Sequence, residues 1–307
     1  MNKNSSSTIL IESPEIPEKA CFEVFAKTVF RSHQRIWKPS TLKVNRSHLR
    51  NQILPSFRTK SVTEITRQDV QQWFTGLHAK PAAANRSLSI LSLIMRQAET
   101  HGYRAFNSNP CSRLRRYPCP GRERFLTFDE ICKLGRVLEI HESHSHLPVT
   151  IIRLLLLTGC RQSEVRTLHW SEYREGHLYL RDSKIGPRTV WLSSTARSIL
   201  DKLPRNNGWV FPTNEKIAPM SVETLYRCWR IVRKEAGIPD VRLHDLRHSY
   251  ASFALLKGET LLTIGRLLGH RDPHTTLKYT HFSDSVERNA VETIGRVLDI
   301  DRCAHQH

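Results

Sequence analysis

The sequence predicts a mainly α-helical protein with a small β-sheet, divided into a helical N-terminal domain and a mixed α+β C-terminal domain. Three observations carry this. Apolar residues recur at i, i+3, i+4 and i+7 through most of the chain, the period of a helix with one buried face. Leu178, Leu180, Val190 and Leu192 instead alternate with polar residues, as half-buried strands do. Between two periodic regions, Asn107 to Arg124 reads NSNPCSRLRRYPCPGRER, which has the proline, glycine and arginine content of a linker and no apolar period.

The elements follow in order. Residues 1–18 hold serines and prolines with little periodicity and are expected as a flexible tail. Residues 19–106 form the helical domain, with about four short helices. Val70, Trp73, Phe74 and Leu77 share one helical face, opened by Thr66 and Asp69 as a capping box. Leu91, Ile94, Met95 and Ala98 repeat the spacing; Pro39-Ser40 marks a helix start and Pro55 a stop. The polar faces carry Arg31, Lys38, Lys43, Arg46, Arg50, Arg58, Lys60 and Arg86. Residues 107–125 are the expected basic linker, whose Arg113, Arg115, Arg116, Arg122 and Arg124 are placed to follow a polyanion.

The second domain, residues 126–285, opens on a capping box of Thr127 and Glu130 ahead of Ile131, Leu134 and Leu138. A buried helix, Val149 to Leu157, ends at Gly159. The alternating pair forms a β-hairpin through Ser183-Lys184-Ile185-Gly186-Pro187, and the pattern is helical again from Ser221. Residues 286–307 form a tail with Val291, Ile294, Val297 and Leu298 on one face, suited to docking in cis or on a neighbouring subunit.

Charge narrows the function. Lys plus Arg number 47 against 29 Asp plus Glu, a formal net charge of +18 in 307 residues. Such a surplus repels itself unless a polyanion screens it, and nucleic acid is the commonest such partner. The seven cysteines are odd in number and scattered without a CxxC pair, which suits a reducing cytoplasm and indicates neither a zinc ribbon nor a redox pair. The acidic, polar start lacks the features of a signal peptide, and the most apolar run, Ile151 to Leu157, is too short to cross a bilayer.

Six residues of the second domain have side chains that suit a single chemistry, namely Arg161, Lys184, His244, Arg247, His270 and Tyr279. Each is ordinary when taken alone. Together their contexts are specific: Thr158-Gly159-Cys160-Arg161-Gln162-Ser163-Glu164, then His244-Asp245-Leu246-Arg247-His248-Ser249, Leu267-Leu268-Gly269-His270, and Thr275-Thr276-Leu277-Lys278-Tyr279-Thr280-His281. A zinc reading fits poorly. His244 and His248 lack the glutamate of an HExxH motif, Arg247 would repel a dication, and the His141 to His146 run has no flanking ligand pattern. No metal and no cofactor is expected.

The order Arg, Lys, HxxR, His, Tyr within these motifs resembles the tyrosine recombinases, or phage integrases, from about Leu126 to His281; the helical domain resembles their core-binding domain more loosely. Cys160, where a hydrophobic residue is commoner, and Gly265, which loosens the helix before Leu267, are small departures. The resemblance implies a two-domain DNA clamp. In it Tyr279 attacks a DNA phosphorus to give a 3′-phosphotyrosyl bond, with His244 as general base and Lys184 as the acid for the departing 5′-oxygen. Arg161, Arg247 and His270 hold the phosphate, and Glu164 orients a catalytic side chain from behind. Lys43, Arg46, Arg50, Arg86, Arg113, Arg115, Arg116 and Arg188 are expected DNA contacts. The expected partners are double-stranded DNA, other copies in a homotetramer on two DNA sites, and accessory DNA-bending proteins. The function implied is site-specific recombination for a phage or other mobile element. The alternatives are strand cleavage and religation like that of a type IB topoisomerase, and a DNA-binding relative without catalysis.

Overall fold

The computed structural model describes residues 20–121, 124–181, 186–206, 208–213, 218–270 and 276. The tails at 1–18 and 286–307, with Lys184 and Tyr279, lie outside these residues. The chain divides into two compact units, residues 1–121 and 122–307.

In the first unit, α1 (Phe22–His33), α2 (Pro39–His48), α3 (Leu54–Phe57), α4 (Arg67–Gly76) and α5 (Pro81–Thr100) enclose one core. Helix α5 buries Ala84, Leu88, Leu91, Met95 and Ala98, a stripe of i+3 and i+4 steps, and Phe22, Ile53, Phe57 and Ile65 fill the space against it. Fully burying an apolar side chain of this size stabilises a fold by about 1.5–3 kcal/mol. The capping box forms: Thr66 Oγ1 accepts the Asp69 amide at 3.1 Å, and Asp69 Oδ2 accepts the Thr66 amide at 2.9 Å. Lys60 Nζ reaches Asp69 at 2.6 Å. That ammonium contact, with the Thr66 hydrogen bonds, holds the Asp69 carboxyl down at about 2.

Pro55 does not stop the helix, contrary to the sequence expectation. Leu49–Ile53 forms a π turn that joins α2 to α3, and Pro55 sits in the first turn of α3. There its missing N–H costs no helical hydrogen bond. The Gln52 carbonyl in the π turn accepts the indole N–H of Trp73 at 2.8 Å. The proline-rich segment after α5 is also held down. The Tyr117 ring stacks on Phe74 with centroids 4.6 Å apart, its hydroxyl donates to the Phe74 carbonyl, and Asn85 pairs with both backbone polar groups of Tyr117.

In the second unit, α6 (Phe128–His141) starts at the Thr127–Glu130 box, and α7 (His146–Thr158) runs through the core. After α8 (Gln162–Arg166) come β1 (Tyr173–Arg174), β2 (His177–Leu180) and β3 (Arg188–Trp191), an antiparallel sheet in the order β1-β2-β3. The hairpin register sets Leu178 opposite Val190 and Leu180 opposite Arg188. Strand β1 adds to the expected hairpin; its two residues are too few to show alternation in the sequence. Helices α9 (Ser194–Asp201), α10 (Val222–Glu235), α11 (Leu243–Leu256) and α12 (Leu261–Leu268) complete the unit. Trp229, Leu134, Ile151 and Phe211 are fully buried in its core. No helix among the described residues is long and apolar enough to cross a membrane.

Candidate active site

Two glycines bring the site together. Gly159 ends α7 at φ +62°, and a Cβ there would lie 2.6 Å from Tyr250 Cδ1 and 2.8 Å from Leu268 Cδ2. Gly269 ends α12 at φ +67°, and a Cβ there would lie 2.7 Å from Arg188 Cδ. Both positions need the left-handed conformation and close approach that only glycine tolerates easily. The Gly159–Glu164 segment and the Leu267–His270 turn can therefore meet on α11.

Arginine side chains lace these segments together. Arg247, on α11, is 3% exposed. It donates to the Gly159 carbonyl and to the Leu268 carbonyl, both at 2.7 Å. Arg161 precedes α8. Its amide donates to Glu164 Oε2 at 2.8 Å and its guanidinium to Glu164 Oε1 at 2.9 Å. Arg188, on β3, donates to Glu164 Oε2 at 2.8 Å and to the Leu267 carbonyl at 3.0 Å.

Electrostatics follow from this packing. Burial works to raise the Glu164 pKa, but the hydrogen bonds and charge of Arg188 and the bonds from Arg161 hold it below the usual carboxylate range. Burial, then the charges of Arg161 and Arg188, lower the pKa of Arg247 to about 10. Three guanidinium charges less one carboxylate leave two positive charges in this cluster. An arriving anion would relieve that repulsion, and a phosphodiester suits the fork geometry of arginine.

His244 is exposed at the start of α11, one turn before buried Arg247. Its ring meets that of His248 edge-on, with centroids 5.0 Å apart. The α11 start is fixed by Arg242 and the fully buried Asp245. The His270 amide donates to the Gly265 carbonyl at 2.8 Å, and His270 Nδ1 lies 2.8 Å from Thr276 Oγ1. A Cβ at Gly265 would lie 3.1 Å from that hydroxyl. The glycine that departs from the family pattern is where Thr276 packs against α12.

The fold thus joins Arg161, Glu164, Arg188 and Arg247 in one network, with His244 on the same helix as Arg247 and His270 on the same turn as Leu268. Arg188, expected as a DNA contact, has a side chain 8% exposed, with its two terminal nitrogens on Glu164 and the Leu267 carbonyl. No cluster of metal-ligating side chains occurs among the described residues.

The first unit carries its own basic face. Lys43, Arg46 and Arg50 are exposed on α2 and the turn after it. Exposed Arg86 on α5 donates to the buried Asn45 at 2.7 Å. These elements border a groove of about 470 Å³ lined by Trp37, Asn45, Arg86, Arg96 and Arg116 among others. Arg96 is not among the residues that sequence reasoning singled out, although it lies ten positions after Arg86 on one helix. Arg113 and Arg115 are exposed.

Comparison with known proteins finds two family matches: the phage integrase family over residues 124–285 and the phage integrase central domain over residues 22–117. The tyrosine recombinase of Thermosipho africanus is 28% identical over 283 residues, 86% of this chain and 96% of that protein. Tyrosine recombinase XerA of Saccharolobus solfataricus is 34% identical over 134 residues, 43% of this chain and 44% of that protein. A lambda integrase tetramer bound to a Holliday junction superimposes with a TM-score of 0.68 at 21% identity, covering 83% of this chain and 79% of that one.

Proposed function

Because the chain belongs to the phage integrase family, we propose that it cuts and rejoins DNA strands at specific sites, with Tyr279 as the nucleophile. The observation that carries this is the buried arginine cluster on Glu164, whose two surplus positive charges await an anion.

The chemistry assigns each side chain a role. Tyr279 Oη attacks the phosphorus as His244 takes its proton; a phenol with a pKa near 10 needs such help. The P–O5′ bond breaks, and Lys184 protonates the leaving oxygen. Negative charge gathers on the non-bridging oxygens, where Arg161, Arg247 and His270 donate. Preorganised donors of this kind often supply the largest catalytic contribution. The 3′-phosphotyrosyl bond keeps the phosphodiester energy, so a 5′-hydroxyl from another strand reverses the step without a nucleotide cofactor. Glu164 holds Arg161 ready.

In the first unit, Lys43, Arg46, Arg50, Arg86 and Arg116 supply phosphate contacts, and the exposed Arg113 and Arg115 add to them. The DNA-bound tetramer of the structural neighbour supports assembly of four copies on two duplexes, with accessory DNA-bending proteins as further partners. The match to the phage integrase family supports a mobile-element role.

The test uses a duplex with the element's junction sequence, nicked beside the cleavage position so that the cut strand diffuses away. The unaltered protein should form a covalent protein–DNA adduct and Tyr279→Phe should form none. An adduct in that variant sinks the assignment. Relaxation of any supercoiled plasmid, without sequence dependence or a two-site product, favours the topoisomerase-like alternative.

A further inference from the structure

Arg188 lies outside the chemistry assigned above, yet it is built into the site more deeply than Arg161. Its side chain is 8% exposed against 19% for Arg161. It spans two distant segments: Glu164 Oε2 at 2.8 Å and the Leu267 carbonyl at 3.0 Å, with Cys160 Sγ 3.5 Å from the same nitrogen that meets Glu164. Its aliphatic part runs under Gly269, where no Cβ would fit.

Arg247 makes the parallel span, from the Gly159 carbonyl to the Leu268 carbonyl. Two adjacent carbonyls at the end of α12 are therefore each held by an arginine, one from α11 and one from β3. Each arginine also grips the segment around Arg161. Arg188 and Arg247 both set their terminal nitrogens on protein acceptors, and the proposed mechanism places only Arg247 at the reacting phosphate.

We propose that Arg188 is a positioning residue for strand cleavage. It fixes the Glu164 carboxylate that aims Arg161, and it locks that carboxylate to the turn that presents His270. This rests on the strand-transfer reading. Glu164 Oε2 takes both the Arg161 amide and the Arg188 guanidinium, so the carboxylate cannot turn without breaking both bonds. Without Arg188, Glu164 keeps only Arg161 among these partners and can follow it away from the phosphate. A charge that merely filled the interior would not need to reach Glu164 and Leu267 together.

The experiment uses the full chain and the same nicked duplex. Arg188→Met and Arg188→Lys are compared with the unaltered protein, alone and combined with Glu164→Gln. Thermal unfolding, DNA affinity and the single-turnover rate of adduct formation are measured on each. Arg188→Met should slow adduct formation at least tenfold while DNA affinity stays within about threefold, because a charged contact to Glu164 is lost behind the phosphate rather than on it. In the Glu164→Gln background the same change should cost less than about threefold, since residues acting through one group are not additive. Arg188→Lys keeps the charge but cannot span both acceptors, so it should fall between; it also serves if the methionine variant does not fold.

Equal slowing in both backgrounds overturns the proposal, because Arg188 would then not act through Glu164. So does full speed in Arg188→Lys, or a loss of DNA affinity that accounts for the whole effect. Failure of the unaltered protein to form any adduct takes down the strand-transfer reading and this proposal together, whereas a normal adduct with unslowed Arg188→Met removes only this one.

Discussion

Glu164 grips Arg161 at both ends, taking its backbone amide on one carboxylate oxygen at 2.8 Å and its guanidinium on the other at 2.9 Å. The main chain and the side-chain tip are fixed by one group that is itself 2% exposed. Glu164→Gln keeps the shape and loses the charge. A hydrogen bond to a charged group is worth about 1.5–3 kcal/mol, so adduct formation should slow roughly ten- to hundredfold. DNA affinity, measured by fluorescence anisotropy, should change little. A variant as fast as the unaltered protein would show that Arg161 needs no such grip.

Gly269→Ala tests the closeness of the Leu267–His270 turn. The position has φ +67°, and the new methyl would meet Arg188 Cδ at 2.7 Å. Backbone strain and the displaced arginine should together lower stability by roughly 1–3 kcal/mol. Calorimetry should register this as a lower unfolding temperature for the second unit, and adduct formation should slow in parallel. Gly135, with nothing near its missing Cβ, is the control.

The basic face of the first unit makes a salt prediction. Each phosphate contact removed should lower the slope of log affinity against log salt by about 0.9. Arg46→Gln and Arg50→Gln should each do so, with equal loss on specific and random duplexes, in titrations at several salt concentrations. Lys27, on α1 and paired with Glu23 at 2.9 Å, should leave the slope unchanged when replaced by Gln. An unchanged slope in both arginine variants would move the DNA face elsewhere.

Asp69 gives the first unit an acid dependence of known sign. Its carboxyl is held at about 2, below the ordinary value near 3.9. The stabilisation is therefore complete above about pH 4 and is lost as pH falls through about 2. Asp69→Asn should cost about 1 kcal/mol at neutral pH, a typical capping contribution. The gap between variant and unaltered protein should close in unfolding measurements near pH 2. A gap that persists there would mean that packing, not charge, is responsible.

Local chemistry is legible in the sequence and remote chemistry is not. The Thr66–Asp69 and Thr127–Glu130 boxes close within one turn, so spacing alone reveals them. Gly159 and the Leu178–Val190 pairing are equally local signals. The place of Arg188 beside Glu164 and Leu267 is not legible, because it depends on partners 24 and 79 residues away. Beside a turn rich in polar residues, an isolated arginine looks like a surface cation. Pro55 reads wrongly as a stop because the π turn before it lets the chain stay helical, and no single-residue rule signals that. Gly265 reads as a loosened helix, and only the packing of Thr276 against it supplies the reason for a glycine. The six candidate residues draw their weight from order and context, which is why Lys184 and Tyr279 can be proposed from sequence alone.

The paired arginine spans also carry a consequence for how the protein is made. Their acceptors and donors lie far apart along the chain: Gly159 must wait for Arg247, 88 residues on, and Arg188 for Leu267, 79 residues on. Contacts of such sequence separation form late, after loop closure has been offset by the rest of the core. A chain still emerging from the ribosome has Gly159, Arg161, Glu164 and Arg188 but not yet Arg247 and Leu267, the groups that close the two spans. The arginine cluster is therefore assembled only once α11 and α12 have been made.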